Sequence, residues 1–189
     1  DFSYLPIQGP PGTGKSYTIL ELTRSLQNYI VLAPTGKAVE RLKSTNNNLS
    51  ATTIHSFMSR ISGVRFNPNL DPGVLVEKSV NTIGNYTHVN TIIVDEASMV
   101  DHFLMYFLIK CANVIKASII MVGDRNQLEP IKLGSVFNYM YSKVPSYTLT
   151  RNYRSASTIH TNLQSIKYNK SNLTYGSDFQ YIESASCDI

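Results

Sequence analysis

The sequence predicts an α/β fold, a parallel β-sheet with helices on both faces. Three observations carry that expectation. Apolar runs recur along the 189 residues, each followed by apolar residues at helical spacing, which is the alternation a parallel sheet requires. The connections between the runs are long enough for crossovers. Glycines and carboxylates stand directly after several runs, at the carboxyl ends of strands, where ligands of such sheets collect.

Taken in order, Tyr4 to Gln8 reads as a buried strand, and Ser16 to Leu26 as a helix with Ile19, Leu20, Leu22 and Leu26 at helical spacing. Ile30 to Ala33 is a second run, broken by Pro34 and Gly36, and Ala38 to Lys43 is a short helix with Val39 and Leu42 inward. The asparagines at 46–48 form a surface loop, and from Thr52 to Met58 the residues Ile54, Phe57 and Met58 share one helical face. Residues 59–90 are expected to hold a small inserted hairpin: Val64 and Phe66 alternate with Arg65, NPNLDPG supplies turn chemistry, and Val74 to Val76 is apolar. Thr91 to Val94 is a buried strand of β-branched residues ending in Asp95-Glu96, and a helix with Leu104, Phe107, Leu108 and Cys111 follows. Ser118 to Val122 is another strand, ending in Gly123-Asp124. Gly134 to Tyr141 reads as helix, Thr148-Leu149 as the tail of a last strand, and Ala156 to Ile166 as a helix.

A content of 42% hydrophobic and 16% charged residues suits one well-buried domain with an appendage. No segment approaches the ~18 uninterrupted apolar residues of a membrane span, and no secretory leader pattern opens the chain. Cys111 and Cys187 do not make a disulfide framework, so a reducing, intracellular setting is expected, cytoplasm or nucleus. The four histidines lack metal-ligand spacing, which argues against structural zinc. A net charge of +4 and a pI near 9.0 are compatible with a polyanionic partner without requiring one. Richness in asparagine, tyrosine and isoleucine without tryptophan points to an AT-rich genome, such as a viral one.

Chemistry concentrates first in Gly9 to Ser16, GPPGTGKS, which matches G-x-x-x-x-G-K-[ST] between a strand and a helix. Gly12, Thr13 and Gly14 would turn their N–H groups onto phosphate oxygens, with the helix N-terminus behind them. Lys15 would reach the β and γ phosphates, and the Ser16 hydroxyl would ligate magnesium. Asp95-Glu96 ends a strand as such a loop needs: Asp95 to hold magnesium through water, Glu96 to orient or deprotonate the attacking water. The two acids could instead cap the helix that follows. Gln127, in GDRNQLEPI, is an amide suited to sensing a γ-phosphate, or else belongs to an ordinary loop with Asp124 capping and Pro130 stiffening the turn. In LTRNYRS, Tyr153 could stack on a base and Arg154 stabilise a transferring phosphoryl group, or the tyrosine could pack on a core edge beside a surface arginine.

Six motifs in this order, from residue 9 to 155, resemble the first RecA-like domain of a superfamily 1 helicase, most similar to the RecD-like branch. The other two are APTGKAVERL and TIHSF, which in that family contact nucleic acid. The resemblance implies a RecA-like P-loop NTPase that hydrolyses ATP with magnesium to drive translocation on, and unwinding of, a nucleic acid. It assigns Gln127 to sensing and Arg154 to transition-state stabilisation, places Tyr153 on adenine, and gives Thr35, Lys37 and His55 to the single strand. DNA is favoured over RNA by kinship. It also implies a RecA-like domain over 1–150, with the 59–90 insert as a small duplex-splitting protrusion, and a connection over 151–189 to a second RecA-like domain. A fragment lacking that second domain is expected to be poorly active. The alternative is a nucleotide-switched binding or assembly module without productive unwinding. A P-loop kinase is disfavoured by the acid pair and the glutamine motif.

Overall fold

A computed structural model describes residues 3–64, 72–127, 130 and 134–153. The strands are β1 (Tyr4–Gln8), β2 (Tyr29–Ala33), β3 (Ala51–Thr53), β4 (Thr91–Val94), β5 (Ser118–Gly123) and β6 (Tyr147–Thr148). All their pairings are parallel, in the spatial order β3-β2-β4-β5-β1-β6. The helices are α1 (Lys15–Ser25), α2 (Gly36–Thr45), α3 (Ile54–Ser62), α4 (Pro72–Ile83), α5 (His102–Ile115) and α6 (Val136–Lys143). This is the α/β parallel sheet that the sequence predicts.

Side chains of a strand point alternately to its two faces, so a sheet covered on both sides must be apolar at every position. Ile92 and Val94 of β4, Ile119 and Met121 of β5 and Leu32 of β2 enter one apolar cluster with Phe57, Leu75, Phe107 and Phe137 from α3, α4, α5 and α6. Their neighbours Ile93, Ile120, Val122, Val31 and Ala33 enter the opposite cluster, with Ile19 of α1 and Val39 and Leu42 of α2. The rings of Phe57 and Phe107 meet edge to face with centroids 6.4 Å apart, the arrangement their quadrupoles favour. Each fully buried large side chain contributes about 1.5–3 kcal/mol.

Helix starts are set locally. The side-chain oxygens of Thr35, Thr53, Asp101 and Ser135 accept the N–H of Ala38, Ser56, Leu104 and Asn138, capping α2, α3, α5 and α6. Such a cap contributes about 1 kcal/mol. In contrast, α1 has no side-chain cap, and its N-cap is Gly14 in the left-handed conformation, so no side chain of the cap satisfies its first N–H groups.

The insert departs from expectation. Where a hairpin is expected within residues 59–90, α3 runs on to Ser62 and α4 occupies Pro72–Ile83. The cause is a stripe at intervals of four: Leu75, Ser79 and Ile83 are all buried, and the Ser79 hydroxyl donates to the Leu75 carbonyl at 2.6 Å, which removes the penalty of a buried polar group. Leu75 and Ile83 belong to the main core, so α4 packs into the domain and does not protrude from it. The short edge strand β3 is also unforeseen; it pairs with β2 from Val31↔Ala51 to Ala33↔Thr53. The helix expected at 156–166 lies outside the described residues. Among the described residues, no helix is long and apolar enough to cross a membrane.

Candidate functional site

The loop between β1 and α1 needs backbone that side chains resist: Gly12 and Gly14 have φ of 83° and 85°. Its shape is held by Thr13, whose N–H and hydroxyl both donate to the Pro10 carbonyl, at 3.3 and 2.8 Å. Lys15 Nζ donates to the carbonyls of Gly9 and Pro10 at 2.7 and 3.1 Å, folding the ammonium over the loop. Burial lowers the Lys15 pKa below its ordinary value and Arg41 adds to that, while Asp124, Asp95 and Glu96 oppose it. A cavity of about 280 Å³ opens over this loop, and Gly12, Gly14, Lys15, Ser16, Arg41, Glu96, Asp124, Gln127 and Tyr153 are among the residues that line it.

The acid pair arrives from β4. Asp95 is fully buried and its N–H donates to the Leu32 carbonyl of neighbouring β2 at 2.9 Å. Its Oδ1 accepts the Glu96 N–H at 2.9 Å, and its Oδ2 faces an Arg41 guanidinium nitrogen at 2.9 Å. The other terminal nitrogen of Arg41 lies 2.9 Å from Glu96 Oε1, so one guanidinium bridges both acids. Burial works to lower the Arg41 pKa, yet the charges and hydrogen bonds of Asp95 and Glu96 outweigh it and leave the value raised. Glu96 holds φ of 49°, a left-handed conformation that costs a residue with a Cβ on the order of 1 kcal/mol. Neither acid caps α5; Asp101 does that. The capping alternative for Asp95-Glu96 is therefore set aside for that helix.

The third segment follows β5. Asp124 is buried, and its Oδ1 accepts the backbone and side-chain N–H groups of Asn126 at 3.0 and 3.2 Å, forming the turn that brings Gln127 to the cavity. Gln8, at the end of β1, closes the turn from the other side: its Oε1 accepts the Arg125 N–H at 3.0 Å. Beyond β6 the chain returns to the loop, where the Tyr153 N–H donates to the Gly12 carbonyl at 2.8 Å and Asn152 Nδ2 to the Pro11 carbonyl at 3.1 Å. The Tyr153 ring is exposed, with the Arg151 guanidinium 5.1 Å from its centroid. A second cavity of about 680 Å³ adjoins this ring, bounded by Tyr17, Thr18, Leu149 and Arg151. Arg154 lies outside the described residues.

Thr35, Lys37 and His55 stand apart from that cavity. They open α2 and α3, directly after β2 and β3, and the Ala33↔Thr53 register sets the two helix starts side by side. Thr35 spends its hydroxyl oxygen on the Ala38 N–H at 3.2 Å, Lys37 is exposed and His55 is half-buried. Sequence reasoning overlooked Arg41 and gave Asp124 no part beyond a turn. Arg41 carried no local signal, because its partners end β4, whose place beside β2 only the sheet order reveals.

The donors suit magnesium of one kind. Among the described residues no group of three or more His, Cys, Asp or Glu could hold a metal by itself. The Ser16 hydroxyl and the Asp95 carboxylate are oxygen donors, the type that magnesium takes.

Known proteins share the family and the fold. A family model described as AAA domain matches residues 3–183. The RecBCD enzyme subunit RecD of Buchnera aphidicola subsp. Schizaphis graminum is 31% identical over 188 residues, covering 91% of this chain and 31% of that protein. The ATP-dependent RecD2 DNA helicase of Deinococcus radiodurans is 34% identical over 155 residues, covering 79% of the chain and 19% of that protein. The chain thus spans less than a third of the length of these relatives. Among solved structures, the Pif1 helicase from Candida albicans shares the fold, with a TM-score of 0.67 at 21% identity over 88% of this chain and 40% of that one.

Proposed function

The chain belongs to the family described as AAA domain, and from that premise we propose that it is the ATP-hydrolysing motor domain of a superfamily 1 helicase of the RecD-like branch. The observation that supports this most is a single cavity that gathers Lys15, Ser16, Glu96 and Gln127 from three separate strand ends. The name of the RecD2 relative, a DNA helicase, supports DNA as the nucleic acid.

In this reading Gly12, Thr13 and Gly14 present their N–H groups to the phosphates and the uncapped start of α1 faces the same charge. Lys15 exchanges the carbonyls of Gly9 and Pro10 for phosphate oxygens. Ser16 and, through water, Asp95 would hold a magnesium ion, which would supply neutralisation of phosphate charge. Glu96 orients the attacking water and takes its proton, and Gln127 reads the γ-phosphate at the lip of the cavity. Tyr153 and Tyr17 border the second cavity and would flank the adenine. Arg154 completes the charge on the transferring group. Thr35, Lys37 and His55 contact the backbone of a single strand at the starts of α2 and α3, and a second RecA-like domain closes the site in the complete protein.

Phosphate release measured with and without single-stranded DNA tests the reading. Stimulation by the strand, abolished by Glu96→Gln, is expected. Turnover that persists in Glu96→Gln overturns the assignment of the base, and nucleotide binding without any stimulated turnover favours a nucleotide-operated switch.

A further inference from the structure

We infer that Arg41 is a positioning residue that competes with the divalent cation for Asp95 and Glu96, so that metal binding works against a resident guanidinium. The inference rests on the nucleotide-site reading above and extends it to a residue outside the expected set.

Both oxygens of Asp95 are engaged. Oδ1 accepts the Glu96 N–H and Oδ2 faces Arg41, each at 2.9 Å. A cation, or a water bound to it, that approaches Asp95 Oδ2 or Glu96 Oε1 must share or take an oxygen that Arg41 holds. Glu96 Oε1 is held by the same guanidinium at 2.9 Å, so the metal-side acid and the water-side acid are tied to one cation. Arg41 is placed to let go. Its side chain is 42% exposed and lines the cavity, whereas Asp95 is fully enclosed. The acids are therefore fixed in place and the guanidinium has somewhere to go. Until it leaves, Arg41 compensates two carboxylates that would otherwise repel each other in a partly dry site.

Arg41→Gln removes the competitor and Arg41→Lys keeps a charge without the two-pronged fork. Manganese binding in the presence of ADP, followed by electron paramagnetic resonance, should tighten about tenfold in Arg41→Gln, the size expected when one positive charge near a divalent ion is deleted in a partly solvated site. Arg41→Lys should fall between that variant and the parent chain. Thermal unfolding provides the second measurement. Arg41→Gln should melt below the parent without metal and recover more than the parent when manganese and ADP are added. Equal manganese affinity in all three proteins, with a melting deficit that metal does not reduce, would make Arg41 a structural ion partner only and overturn the inference. No manganese–ADP binding by the parent chain would instead overturn the nucleotide-site reading on which it rests, and the inference with it.

Discussion

Asp95 and Asp124 leave neighbouring strands, β4 and β5, side by side, and both are buried, at 0% and 1% exposure. They are nevertheless held in opposite ways. Asp95 is answered by a charge, the guanidinium of Arg41. Asp124 is answered by dipoles, the two N–H groups of Asn126, within a turn that also receives Ser98 as a weak partner at 3.4 Å. A counter-charge can be exchanged for another cation, while a turn built from backbone dipoles keeps its shape whatever is bound. The pairing thus separates the strand end held by an ion pair from the strand end whose turn brings Gln127 to the cavity.

The comparison can be broken most directly at Glu96. Glu96→Gln should lower ATP turnover by about a hundredfold or more while retaining nucleotide binding, and Gln127→Ala should cost less. A larger loss from Gln127→Ala in the same steady-state assay would reverse the roles of the two turns. The next effect is on stability. Asp95→Asn leaves Arg41 with Glu96 as its remaining acid and should cost about 2 kcal/mol, below the range for a broken buried pair because Arg41 is half exposed and keeps that partner. Asp124→Asn retains a neutral acceptor for Asn126 and should cost no more than about 1.5 kcal/mol. Urea denaturation decides, and equal costs would show that the two acids are held alike.

A third substitution tests the seam between the turns. A Cβ on Gly123 would sit 2.9 Å from the Ser98 backbone nitrogen and 3.1 Å from the Phe137 ring, so Gly123→Ala should cost about 1–3 kcal/mol. Adding Phe137→Leu, with unfolding measured alongside each single variant, should show coupling between the two changes, because one of the two obstructions is then altered. The smallest effect is a control remote from both turns. Burial pushes the Cys111 thiol from its ordinary 9.0 up to about 12. The unfolded chain therefore releases this proton first, so the contribution is intact below pH 9 and is lost as pH rises towards 12. Cys111→Ala should flatten that part of the stability profile without touching turnover at neutral pH.

How much of this was legible depended on how local each signal is. The runs TIIV and IIMV announce strands because each residue must be apolar on its own face, and GPPGTGKS fixes a loop through spacing within eight residues. Helix α4 escaped because its buried stripe includes Ser79, whose polarity is satisfied by its own helix and does not show in a hydrophobic pattern. The strand β3 is three residues long and polar at two of them, and its register is decided by β2. Arg41 escaped for a different reason. It meets Asp95 across 54 residues of chain, and a helical arginine carries no local mark of its partner. The site was therefore readable in its parts, and the ion pair that joins them was readable only once the sheet order was known.

The position of β1 bears on the order in which the molecule is put together. This strand, which carries the loop, lies between β5 and β6 and pairs with residues such as Ile119 and Thr148, so its neighbours are made long after it. Strands β2, β3 and β4 are connected through shorter stretches and can associate first, since closing a longer chain segment costs more entropy. Pulse-labelled hydrogen exchange during refolding should find the amides of Tyr4–Gln8 protected after those of β2 and β4. During synthesis, then, the sheet can exist for a time as a half-built scaffold, and the loop that would grip a nucleotide acquires its floor only when the final strands close over the first.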